Sequence, residues 1–273
     1  MSIQSFLKAR RGDPDWTFTP DHYYEKEFKI INASELELSP WKTESVILRQ
    51  APTERGLLAK KIHIEVKENA TLDMLMINEA SDNTHQVYMY DIIVRDSGKF
   101  SIGLFAKGGT LNKHIINVTL ENYTFFNVYG HISNHVGGDS ELITKVSHMG
   151  AYSNSQQFIT CEAGADSQTV YQGITQIYKP CEYSIAGVEV NNLVTGEGGI
   201  CHSVPEIYNH SSTSRTSVGS VTDFVDTERL YYLESRGMNI TKARNLIIDS
   251  HRKKTMSIIP NAEIRQEIGL MMD

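Results

Sequence analysis

Cys161, Cys181 and Cys201 are the chain's three thiols, and they are spaced by 20 residues twice over. The last is followed by His202 and preceded, four positions back, by Glu197. Thiolate, imidazole and carboxylate together are ligands for soft and borderline metals. Against that stands the ordinary role of a free cysteine, a small buried hydrophobe, and nothing beside Cys161 or Cys181 argues for more. Other apparent motifs are weaker. His131 and His135 sit at i, i+4, but Ser133-Asn134 between them and Gly137-Gly138 after them argue for a turn rather than a metal-binding helix. Gly196-Glu197-Gly198-Gly199 lacks the Lys-Ser/Thr of a phosphate loop, and there is no Gly-x-Ser-x-Gly elbow.

These residues must be positioned by the stretch from Ser147 to Asn192, which reads as short strands broken by Gly, Ala-Asp and Lys-Pro turns. No helical period fits it. A step of about 20 residues with no helix between strands predicts stacked rungs, a parallel β-helix in which the cysteines form a ladder. The same rhythm begins earlier. Ile62 to Val66 and Leu72 to Ile77 alternate, and Val87 to Val94, Phe100 to Phe105, His114 to Leu120 and Tyr123 to Val128 continue it. Strands this frequent exclude a βαβ fold; a sandwich or jelly roll is the main rival.

Upstream, residues 1–55 read as a capping segment over the open end of the core. It holds a short helix at Ser5 to Arg11, a Gly12-Asp13-Pro14 stop, and an aromatic piece from Trp16 to Ile31 with Tyr23-Tyr24. Residues 56–212 form the β-helix. From about 213 the polar run Ser211 to Ser220 leads to a helical segment, 213–273. Its first helix, around Thr227 to Ser235, stops at Arg236-Gly237. A second is capped by Asn239 or Thr241, with Ala243, Leu246 and Ile247 on one face. Pro260 opens a third, and Arg252-Lys253-Lys254 is a solvated helix end.

The chain has 273 residues, 40% of them hydrophobic, enough for a sizeable core. A net charge of -7 argues against general binding to nucleic-acid phosphates. The N-terminal sequence has no secretory pattern, and no run of about 18 apolar residues offers a membrane span. An odd cysteine count without an export signal points to reduced thiols in the cytoplasm.

Four segments resemble the SufB/SufD family of iron–sulfur cluster assembly proteins. They are Tyr171-Gln172-Gly173-Ile174, Asn191-Asn192-Leu193-Val194, His202-Ser203-Val204-Pro205-Glu206-Ile207, and Leu230-Tyr231-Tyr232-Leu233-Glu234-Ser235-Arg236-Gly237-Met238. The resemblance covers about residues 145 to 250. It implies a right-handed parallel β-helix followed by helices that dock a SufC-type ABC ATPase, here through Leu230, Tyr231, Tyr232, Leu233, Arg236 and Gly237. It also implies pairing with a second copy or with a SufB/SufD paralogue, around a transient iron–sulfur cluster. Adjacent Tyr231 and Tyr232 cannot share one helix face with both Leu230 and Leu233, so at least one aromatic is left over.

The expected ligands are missing. SufB-type chains carry a cysteine six residues before the proline matching Pro205, where this chain has Gly199. A family histidine falls thirteen residues after that proline, where this chain has Val218. What remains is His202, which matches a SufB-type histidine, with Cys201 two positions from the family cysteine and Glu197 nearby. Period-two alternation would keep Cys201 on the family cysteine's face, making Cys201, His202 and Glu197 the candidate cluster ligands. With no Walker motif, the chain reads as a non-catalytic scaffold or scaffold partner. The alternative is a diverged structural or regulatory β-helix protein that carries no cluster. A carbohydrate-active β-helix enzyme ranks last, since neither export nor clustered acids are visible.

Overall fold

The computed structural model describes residues 28–30, 34–50, 56–81, 83–225 and 227–257. One sheet holds β1 (Phe28–Ile30), β4 (Gly56–Val66), β6 (Thr84–Val94), β8 (Leu111–Leu120), β10 (Asp139–His148), β12 (Gln168–Ile177) and β14 (Ile200–Asn209), in that order, with β2 (Ser34–Leu38) also on β4. The other holds β3 (Thr43–Gln50), β5 (Thr71–Ala80), β7 (Lys99–Gly108), β9 (Phe125–Val136), β11 (Asn154–Ala165), β13 (Ile185–Val194) and β15 (Arg215–Phe224). Every pairing is parallel, and consecutive strands from β3 onward alternate between sheets. The result is a β-solenoid of about six turns, followed by helices α1 (Thr227–Ser235) and α2 (Ile240–Ser257).

Alternation builds the core. Successive side chains point to opposite faces of a strand, so Ile62, Ile64 and Val66, then Met74 and Met76, then Tyr88, Tyr90 and Ile92 fall inside together. The corners after the first sheet are as regular. Asn69, Ser97, Tyr123 and Tyr152 each take a left-handed conformation there, and each sends its N–H to a carbonyl one turn further on. On the last turns the tyrosines stack, Tyr123 on Tyr152 at 5.0 Å and Tyr152 on Tyr183 at 5.2 Å between ring centres.

The expected solenoid is present, but the cysteine spacing that suggested it is not its period. Lys99 lies beside Thr71, 28 positions on, and Ile185 beside Asn154, 31 positions on. Cys161 therefore neighbours Ile132 and Asn192, Cys201 neighbours Thr169, and Cys181 sits in the turn between β12 and β13. There is no cysteine ladder. Two expected boundaries also move. Residues 34–50 join the sheets as β2 and β3, and β15 extends the solenoid past position 212. The Ser5 to Arg11 helix, the Gly12-Asp13-Pro14 stop, Tyr23-Tyr24 and the helix at Pro260 lie outside the described residues.

The helical segment follows the expected stops. α1 ends where Gly237, at φ 84°, donates its N–H to Glu234 while Met238 donates to Leu233, the paired bonds of a left-handed glycine cap. Asn239 caps α2, its Oδ1 accepting the Thr241 N–H at 2.8 Å. Ala243 and Ile247 are buried; Leu246 is exposed, turned off the packed face.

Candidate functional site

The structure separates the three candidate ligands. Cys201 points into the solenoid, its thiol 3.5 Å from the Leu193 carbonyl and 3.6 Å from that of Cys161. His202, the next residue on β14, faces the opposite side by strand parity. Glu197 is exposed in the preceding turn. Among the described residues no three His, Cys, Asp or Glu side chains are grouped to hold a metal. Burial pushes the Cys201 thiol up to about 12 and that of fully buried Cys161 well above its ordinary value. Both are thiols at neutral pH, while the ligand form is the thiolate. Cys181 donates to the His148 carbonyl at 2.9 Å, in a small cluster of its own with Ile177 and Ala186.

Position 199 lies in the turn before β14, so strand parity does not carry from it to Cys201. A Cβ there would stand 2.5 Å from the Gly164 carbonyl oxygen and 3.0 Å from that of Ala163. Turn 195–199 is stacked directly on the turn below, and this backbone is closed to the family's cysteine. Val218 occupies a core-facing position beside Val188, yet it is 56% exposed, and among the described residues no strand pairs with β15 on its other side. Among the described residues that end of the solenoid is open, and β15 is exposed along nearly its whole length. Its mouth is lined with hydroxyls: Ser203 and Ser220 lie 2.7 Å apart, and Asn192 donates to Ser203 and Thr222.

Several interior groups owe their partners to the way strands and corners face one another rather than to a motif in the sequence. The Tyr171 hydroxyl meets Thr144 at 2.9 Å and donates to Gln157. Its ring leans along β12 over Gly173, where a Cβ would collide with the phenol, so the Tyr-Gln-Gly segment is a packing device. His148 is held between the Ser153 and Ser155 hydroxyls at 2.6 and 2.8 Å, and His114 between Asn112 and Tyr90. Burial lowers His148 to about 4 and His114 to about 3.

An unfolded histidine titrates near 6.5. Between that value and about 4 the unfolded chain binds more protons, so stability rises with pH and is lost as pH falls from about 6.5. Each imidazole contributes a slope of about 1.4 kcal/mol per pH unit there. His148→Asn should remove one proton's worth of that slope in urea titrations at pH 7 and pH 4.5. An unchanged slope would mean that His148 does not titrate with unfolding.

The second surface is α1. Leu230 turns inward, Tyr231 and Tyr232 are 73% and 58% exposed, and the Arg236 guanidinium lies over the Tyr232 ring at 5.3 Å. Glu228, Arg229, Tyr232, Leu233 and Ile247 line a groove of about 420 Å³ between the two helices. Tyrosine and arginine favour the cores of protein interfaces.

Comparison with known proteins agrees with this architecture. A family model described as "SUF system FeS cluster assembly, SufBD core domain" matches residues 40–251. The iron-sulfur cluster assembly protein SufD of Escherichia coli (strain K12) is 20% identical over 218 residues, which are 78% of this chain and 51% of that protein. Protein ABCI7, chloroplastic, of Arabidopsis thaliana is 20% identical over 213 residues, 76% of this chain and 44% of that one. The chain spans about half the length of these curated relatives.

Proposed function

The chain belongs to the SufBD core-domain family of the SUF iron–sulfur assembly system, and on that premise we propose that it is a scaffold partner in a cluster assembly complex. In this reading α1 and the groove beside it dock a SufC-type ABC ATPase. The open end formed by β14 and β15 pairs with a second copy or a SufB/SufD paralogue, in the cytoplasm. The observation that carries the reading is where the family match ends. It runs from residue 40 through β15 and into α2, and so takes in the segment where two adjacent tyrosines stand unburied on a short helix.

The cluster is cargo, and this chain's share in holding it is small. Position 199 is closed, position 218 is valine, and Cys201, His202 and Glu197 diverge. Those facts favour a supporting role over that of cluster-bearing half. They also support the second reading, a relative that keeps the surfaces and carries no cluster.

Co-expression with the ATPase tests docking. Wild type should retain the ATPase in a pull-down, and Tyr232→Ala/Leu233→Ala should lose it; Tyr231→Ala alone separates contact from helix packing, since Tyr231 is the more exposed ring. No retention by wild type would remove the docking reading. Iron and acid-labile sulfide assayed anaerobically on the same complex distinguish the two roles, their absence favouring the second.

A further inference from the structure

The helical pair has its own small core. Leu230, Ala243 and Ile247 pack with Val225, Leu233 and Met238, separate from the cluster that fills the solenoid. A unit with its own core, joined to a larger body by few contacts, is built to move as one piece. α2 rests on β11 and β9, and the side-chain bonds that fasten the pair to the solenoid are polar. Arg244 of α2 donates to the Thr195 carbonyl at 2.6 Å. Arg229 of α1 and His251 of α2 both reach one oxygen, Asp223 Oδ2, at 3.4 and 3.3 Å. The other oxygen, Oδ1, accepts the N–H of Phe224. Asp223 is the second-last residue of β15, the strand that edges the open end.

We propose that Asp223 is a latch that fastens both helices to the edge strand, so that displacement of the helical pair by a docked partner is delivered to the open end of the solenoid. The role rests on the reading of α1 as a docking surface. Its physical content is that one carboxylate serves three elements. Neither helix can leave it without weakening the hold on the other, and both pull on the strand whose free edge a second chain would meet. Such a shared group meets the requirement for coupling between two sites, a discrete element that both can bias.

Hydrogen exchange on the chain without the ATPase tests the latch apart from docking, since the pull-down can fail while the latch holds. Asp223→Ala should raise exchange about fivefold in residues 227–235, 240–251 and 215–224 together, as loss of two partly exposed polar contacts would. Residues 71–80, at the far end of the same sheet from β15, should be unaffected. Asp223→Asn, which keeps the shape and can still accept the Phe224 N–H, should release the helices with less effect on 215–224. Exchange unchanged in the helices, or raised in only one of them, would overturn the proposal. A rise shared by 71–80 would do so too, because Asp223 would then support the whole solenoid.

Discussion

Lys113→Met is expected to destabilise the chain by about 3–5 kcal/mol, and Glu141→Leu by a similar amount, while the double substitution should return close to wild type. Lys113 on β8 and Glu141 on β10 are register neighbours, their charged atoms 2.8 Å apart and both side chains essentially inaccessible. They stand on the outer face of the first sheet, beside Met89, Ile115 and Ile143, which form an apolar cluster of their own. Two ions withdrawn from water each carry a desolvation cost, which their attraction offsets only while both are present. Removing one leaves the other buried with its counter-charge gone. Replacing both with apolar groups of like volume removes cost and attraction together. Denaturant titrations of the four proteins close the cycle. Equal losses in all three variants would mean that side-chain shape, rather than charge pairing, is what this site requires.

Gly199→Cys is expected to cost about 1–3 kcal/mol, the range for forcing extra atoms into close-packed structure, and to add no cluster. The substitution supplies the cysteine that the resemblance to SufB-type chains leads one to expect at this point, so it is the natural attempt to gain a metal ligand. The obstacle is main chain: the new Cβ meets the carbonyl oxygens of Gly164 and Ala163, which cannot rotate aside as a side chain could. Relief requires lifting turn 195–199 off its neighbour, which strains the bond from Thr195 N–H to the Ala163 carbonyl, now 2.8 Å. Thermal unfolding reads the cost, and iron bound after anaerobic reconstitution reads the gain. A variant as stable as wild type, with iron bound, would show that the turn yields easily and that only the side chain was missing.

The parts of the fold visible in the sequence were those with a clean period. Ile62 to Val66 and Leu72 to Ile77 announce their faces because one side packs inward. β15 gives no such sign: it is exposed on both faces, so Ser211 to Ser220 reads as a polar linker. The cysteine step was a coincidence of unequal turns. Between β7 and β8 the turn is two residues, and between β12 and β13 it is seven, so no fixed spacing marks the rungs. At the site, adjacency in sequence misled: Cys201 and His202 are neighbours along the chain and therefore strangers across the strand. The helical tyrosines were legible because crowding on a helix is a local property. The position of Asp223 beneath two helices was not, because it depends on how α2 returns over the solenoid.

The open end also constrains the symmetry of any assembly. Among the described residues β14 and β15 have no strand beyond them, and such an edge is satisfied either by a like edge or by the far end of another solenoid. Head-to-tail stacking would leave a fresh edge after every addition and grow without limit as a fibre. Meeting about a two-fold axis uses the same strand twice and leaves none over. In the proposed pairing, closure at two chains would thus be the arrangement that keeps such an end from polymerising.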